Sequence, residues 1–402
     1  MIWIIINIIL LLSLAFSFQP EEGPKKLYWI GLGIKTMMCF AFGCTYVFYL
    51  QSGDTLTFHE KANELYQLSE QSFGSYLKEL FTPHYPIYQA EWRNEFFCKI
   101  LSLPYVATQG NYWLSSLYLM LFSYLCTWFL IRSIWRYYPS LLIPAFVAFM
   151  IFPSPIFWSS GILKDTLVNG AVFYLAGLCI RYHYQSKFTF SQITVAIGCI
   201  LLIFYMKYYL IALVGTLMIL LAWNKVVKVF IQSKAIQITL TILLLIICVS
   251  IASKTNRNIN VEQLPVALYN NYQSIQDQST HTETLQLDIE PTYKSILLNI
   301  PQSLIAGLFR PYVWEVGSVK VWFGLENLLI LLLALANIVF IPRMKPDLLS
   351  WLTLGFIIVL AVALPIASPN FGSLIRYKAV FIPFLVFLLT IKPYQVIVLK
   401  EH

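Results

Sequence analysis

The sequence predicts an all-α fold, a polytopic transmembrane helical bundle of about eleven crossings with two long outer loops that contain surface helices. Three observations predict it. Of the 402 residues, 58% are hydrophobic and only 11% charged, whereas soluble domains carry about a quarter charged residues. Apolar runs recur from end to end at about the twenty-residue length that a ~30 Å hydrocarbon core requires. The connections between these runs alternate in basic charge, as the positive-inside rule demands.

The runs fall near 2–18, 27–50, 112–131, 140–158, 166–181, 190–206, 208–223, 236–252, 324–341, 350–367 and 378–391. The first could be a signal peptide. It has no basic residue ahead of it and no small-residue cleavage site behind it, and Glu21 and Glu22 follow, so it is expected to be retained as a helix. The remaining runs leave two polar stretches, 51–110 and 253–323, within one integral membrane domain covering 1–402.

Charge orients the bundle. One set of alternate connections holds Lys25, Lys26, Arg132, Arg136, Arg181, Lys187, Lys225, Lys228, Lys234, Arg343, Lys345, Lys392 and Lys400 against Glu21, Glu22, Asp347 and Glu401. The stretch 51–110 instead carries four basic and seven acidic residues. It belongs outside, which puts the N-terminus outside and the C-terminus in the cytoplasm of a bacterial inner membrane.

The net charge of +8 is thereby explained by cytoplasmic loops, and nucleic acid is not an expected partner. Of the seven cysteines only Cys98 lies in a polar loop, and there is no CxxC or disulfide framework. His59, His84 and His281 show no metal-ligand repeat, so no metal site is predicted, although Asp54 could share a divalent ion with another loop carboxylate. Nucleotide-binding motifs and hydrolase triads are also missing from the sequence.

Ionisable residues away from the basic loops then gather at the outer face. Gly53-Asp54-Thr55 reads as a helix start; Asp54 is either a plain helix-end carboxylate or a general base for an acceptor hydroxyl. The turn from Ser159 to Asp165, behind Pro153 and Pro155, offers free backbone N–H groups, a Lys164 charge suited to phosphate and an Asp165 that caps or orients. Lys164 and Asp165 equally read as a snorkelling pair beside interfacial Trp158. The segment 301–323 carries Arg310, Glu315 and Lys320 among aromatics, too polar for a straight crossing and suited to a sugar beside a phosphate. Arg376 and Tyr377 open the last helix, as a phosphate fork and an amphipathic ring or as interfacial anchors only.

An acidic residue in the first outer loop, a basic-acidic turn between middle helices and a late Arg-Tyr pair together resemble the GT-C class of polytopic membrane glycosyltransferases. The runs Phe157-Trp158-Ser159-Ser160-Gly161-Ile162-Leu163-Lys164-Asp165 and Phe309-Arg310-Pro311-Tyr312-Val313-Trp314-Glu315 look more like O-antigen and exopolysaccharide polymerases. Both resemblances imply a polyprenyl-phosphate-linked or polyprenyl-diphosphate-linked sugar donor, a glycan or lipid acceptor and no nucleotide cofactor. Asp54 would be the base. Lys164, Arg310 and Arg376 would neutralise the departing phosphate, with Asp165, Glu315 and Tyr377 around them. The competing expectations are a lipid-linked oligosaccharide flippase or other transporter, marked by mid-helix ionisable residues, and a non-catalytic envelope scaffold. Lys35 and Lys207 are expected near helix ends, which weighs against transport.

Overall fold

A computed structural model describes residues 2–21, 23–86, 89–255, 260–277, 284–317, 321–340 and 347–398. Glu22, His281, Lys320, Arg343, Lys345, Lys400 and Glu401, used above, lie outside the described residues. The fold is all-α: among the described residues there is no strand, and the one isolated bridge pairs Thr284 with Asn370. The chain forms two compact units, Met1–Leu210 and Ile211–His402.

The first unit begins with α1 (Ile2–Ser17), followed by α2 (Lys25–Cys44), which continues as a wider turn through Thr45–Leu50. Three helices without a qualifying apolar run follow: α3 (Asp54–Gln71), α4 (Phe73–Phe81) and α5 (Ala90–Thr108). α6 (Tyr112–Tyr137) starts where the Asn111 side chain accepts from the Leu114 N–H at 3.0 Å, satisfying one of its free donors. The segment 139–158 is a broken helix, with α7 (Leu142–Phe146) and α8 (Pro153–Trp158) separated where Pro153 denies the ladder a donor. α9 (Lys164–His183) and α10 (Phe190–Met206) complete the unit. α10 opens with a capping box between Thr189 and Gln192.

Directions within this unit follow from its contacts. α6 and α9 run parallel: Gly170 lies on Ser123, Tyr174 stacks on Phe129 at 4.4 Å, and Ser186 hydrogen-bonds Tyr137. A Cβ on Gly170 would sit 2.9 Å from the Ser123 Cα, so only glycine lets these two backbones approach so closely. α2 runs opposite, with Tyr28 against Tyr124 and Phe40 against Trp113. The broken segment follows α2, since Phe146 abuts Gly31 and Phe157 abuts Phe42. α1 parallels α6, with Asn7 bonded to Tyr118 at 2.7 Å, and α10 opposes α9. Six alternating traverses therefore carry Lys25, Arg132, Arg136 and Arg181 at one end and α3 to α5, Lys164 and Lys207 at the other.

The second unit contains α11 (Tyr208–Phe230), whose first residues belong to the first unit, and α12 (Lys234–Thr255). α13 (Leu264–Asp277), α14 (Tyr293–Phe309), α15 (Val321–Phe340), α16 (Leu348–Ala367), α17 (Phe371–Lys378) and α18 (Ile382–Val398) follow. α14 packs on α16 and α15 on α18. The Asn337 amide reaches the Leu389 carbonyl at 2.6 Å, a polar link between two apolar helices.

Among the described residues, six helices are long and apolar enough to cross a membrane, and seven if α17 and α18, bent by 60°, count as one span. The chain is thus a multi-pass membrane protein by the length and composition of its helices. The count falls below eleven for physical reasons. α1 and α10 are one or two residues short, the segment 139–158 is broken, and α9 dilutes its apolar face with Lys164, Asp165, Asn169 and Arg181.

Candidate functional site

The polar end of the first unit is built on α3. Gly53 precedes it at φ +114°, a conformation that only glycine adopts without strain, and this turn lets Asp54 open the helix in an exposed position. Thr55, Phe58 and Ala62 form the buried stripe. Phe58 meets Phe97 of α5 at 4.9 Å, the Thr55 hydroxyl lies 3.1 Å from the Tyr112 hydroxyl, and His59 Nδ1 lies 2.7 Å from the Tyr105 hydroxyl. Burial against α5 holds the His59 imidazole below its usual pKa, with Glu60 offsetting part of the shift.

Lys164, the first residue of α9, donates to the Asn94 side-chain oxygen at 2.6 Å and lies 5.4 Å from the centroid of the Phe58 ring. The lysine predicted to bind phosphate is therefore held between α3 and α5, one turn along from Asp54 on α3. Its neighbour Asp165 turns inward and pairs with Lys207 at the end of α10, both side chains at least nine-tenths buried. Arg93 adds a second cation, 5.5 Å from the Tyr208 ring. Aromatic walls come from Trp92, Phe96 and Tyr205, and the buried Trp92 indole N–H has no acceptor. Lys164, Arg93 and the ring faces at the start of α9 suit an anionic group, whereas the Lys207 charge is already met by Asp165.

A second polar cluster on the same loop layer joins Glu79, His84 and Glu95, whose candidate ligand atoms lie within 4.8 Å of one another. No sequence repeat announces it because the three come from α4, the next connection and α5. Lys99 already occupies the position a cation would take, 2.5 Å from Glu95 and 4.0 Å from Glu79. Burial raises the Glu95 pKa, but hydrogen bonds from Lys99 and His84 outweigh it and leave the carboxyl below its usual range. The cluster works as an ion-pair staple of the connection onto α5. Asp54 is not a member of it.

Two expectations are corrected. The Ser159-Ser160-Gly161 turn is fully buried rather than at an exposed interface, with the Ser159 and Ser160 N–H groups bonded to the Pro155 and Phe157 carbonyls. Its sequence reads as polar because serines hide within the bundle. Lys35 is not at a helix end: it lies mid-α2, 1% exposed, donating to Ser123 at 3.0 Å and Ser159 at 2.9 Å. The turn thus serves a buried lysine instead of an outer anion.

The remaining predicted residues belong to the second unit. Arg310 forks onto Glu315, Nε to Oε2 at 3.0 Å, and Glu315 also accepts the Tyr312 N–H at 2.8 Å. Lys378 donates to the Arg310 carbonyl at 2.9 Å and to Asn327 at 3.1 Å. Arg376 lies 5.1 Å from the ring of its neighbour Tyr377. Asp54, Lys164 and Asp165 are therefore gathered in one unit, and Arg310, Glu315, Arg376 and Tyr377 in the other. Asn94, Arg93 and Trp92 escaped the prediction, although Trp92-Arg93-Asn94 at the head of α5 carries the signal of an interfacial helix start; Lys207 lies at a helix end as expected.

No protein-family model, no curated protein and no solved structure matches the chain.

Proposed function

We propose that the chain is an eleven-crossing glycosyltransferase or glycan polymerase of a bacterial inner membrane, working at the outer face on a polyprenyl-(di)phosphate-linked sugar. The observation that carries this reading is the clamping of Lys164 between Asn94 and Phe58 on the helix that Asp54 opens. In the proposed step Asp54 takes the proton of an acceptor hydroxyl, whose oxygen forms the new bond to the anomeric carbon. The bond from that carbon to the phosphate oxygen breaks, and the charge left on the lipid phosphate falls to Lys164 and Arg93. The aromatic wall of Trp92, Phe96 and Tyr205 suits the sugar ring or the first prenyl units.

Lys35 favours a second reading, transport of an anion or proton, because an ionisable group deep in a crossing is costly and characteristic of carriers. One experiment in the native host separates the two. Asp54→Asn and Lys164→Gln, at unchanged protein levels, should each remove a surface glycan and accumulate an unused polyprenyl-linked sugar, while Lys35→Gln leaves transfer in isolated membranes intact. An unaltered glycan profile in both Asp54→Asn and Lys164→Gln would sink the transferase reading.

A further inference from the structure

At the other end of α9, about 25 Å from Lys164 at 1.5 Å per residue, the first unit carries a second cationic cluster that the proposed chemistry does not use. Phe129, Arg132 and Arg136 form one stripe of α6. Both arginines are exposed. Because α9 runs parallel to α6, its last turn brings Arg181 onto this stripe, the guanidinium carbon 4.7 Å from the centroid of the Phe129 ring. Arg181 is 8% exposed, its Nε is buried with no hydrogen-bond partner, and the charges of Arg136 and Arg132 both act on it.

The surroundings offer few counter-charges. Between Glu95 and Glu262 the sequence holds a single acidic residue, Asp165, and that one pairs with Lys207 at the far end of α9. The connection from α1 packs at the same end, where Gly23 abuts the Trp135 ring, and its sequence adds Lys25 and Lys26 beside Glu21 and Glu22. His183 and Lys187 follow from α9. Placing basic residues on a cytoplasmic end explains the exposed arginines; it does not explain burying a guanidinium N–H without an acceptor among like charges.

We infer that Arg132, Arg136 and Arg181 hold the phosphodiester headgroup of an anionic phospholipid. An oxyanion supplies acceptors for all three forks at once, and guanidinium is the side chain whose planar geometry matches phosphate oxygens. The lipid source is favoured by the flanking rings. Tyr137 stacks on Tyr184 at 4.4 Å, Tyr184 bonds Tyr138 at 2.8 Å, and Phe190 is 86% exposed just beyond, the arrangement expected at a headgroup boundary where basic pockets between helices bind anionic lipid. This site is independent of the transferase reading.

The test uses the purified full-length protein, read by native mass spectrometry and by thermal unfolding with added phosphatidylglycerol, phosphatidylcholine or inorganic phosphate. Phosphatidylglycerol should persist as a discrete adduct and raise the unfolding temperature where phosphatidylcholine does not. Arg181→Gln should lower its retention about tenfold. Since Arg181 is buried and its variant could misfold, Arg132→Gln/Arg136→Gln, altering exposed side chains only, should give a loss of similar size. Equal retention of the two lipids by the native protein, or unchanged phosphatidylglycerol retention in the double variant, would overturn the assignment. Stabilisation by inorganic phosphate equal to that by phosphatidylglycerol would overturn its lipid identity.

Discussion

Asp165 and Lys207 are separated by almost the whole of α9 and α10, and they meet because the two helices are antiparallel neighbours. Taking each charge out of water is costly, and the partner repays it only while both are present. Asp165→Leu or Lys207→Met alone should therefore cost about 3–5 kcal/mol of stability, whereas the paired replacement Asp165→Leu/Lys207→Met should recover most of that loss. Thermal unfolding of the four proteins in detergent is the measurement. Additive losses in the double variant would mean that the pair does not interact. At this scale the sequence was informative about individual residue types and silent about partners. Gly53 ahead of Asp54 and Thr55 announces a helix start on its own. Nothing in the neighbourhood of Lys164 reveals that Asn94, in a different polar stretch, will hold its ammonium group.

Among the elements, the layer of α3, α4 and α5 has two titratable fastenings, and both act in the same pH direction. His59 is held neutral by burial against α5, so its folded pKa lies below the unfolded value of 6.5. The stabilisation is present above 6.5 and is lost as the pH falls through the lower folded value, because the unfolded chain takes up the proton first. Glu95, fixed by Lys99 and His84, also has a depressed pKa, so its contribution is present above 4.5 and lost on further acidification through its folded value. Protease cleavage between Gln51 and Gly110, located by mass, should rise in two stages as the pH falls. His59→Gln should remove the first stage and Glu95→Gln the second; a profile unchanged by either variant would detach both groups from the fastening of this layer. The sequence marked this stretch as polar with surface helices but did not show how they pair, because each helix is amphipathic and leans on partners distant in the chain. Hydropathy also missed the depth of the Ser159-Ser160 turn, since it scores serine as solvent-seeking even when the hydroxyl serves Lys35.

For the whole molecule, the helical class and multi-pass character were legible because about 30 Å of hydrocarbon imposes its length on every crossing. The number of crossings was less so, since short, broken and polar-dotted helices defeat a rule based on length and apolarity. The parallel run of α6 and α9 bears directly on that number. If α6 crosses the bilayer and α9 lies alongside in the same direction, the chain must return between Tyr137 and Lys164, and the broken segment 139–158 is the only stretch available. α10 then returns again beside α9. These three traverses before α11 invert every later loop relative to a chain in which only the long, uniformly apolar helices cross. The exposed turn around Ser233, next to Lys234, becomes the deciding position. The proposed topology puts it in the cytoplasm; the seven-span alternative puts it outside, together with Lys225 and Lys228, against the positive-inside rule. Cysteines placed singly at Ser233, Lys78 and Lys187 in a chain freed of its native thiols can be challenged in intact cells with a membrane-impermeant maleimide. Lys78→Cys should react and Lys187→Cys should not, under either topology, so they calibrate the assay. Ser233→Cys should stay unreactive until the membrane is permeabilised; labelling equal to that at Lys78→Cys would remove the three traverses between Tyr137 and Tyr208 and with them the eleven-crossing arrangement.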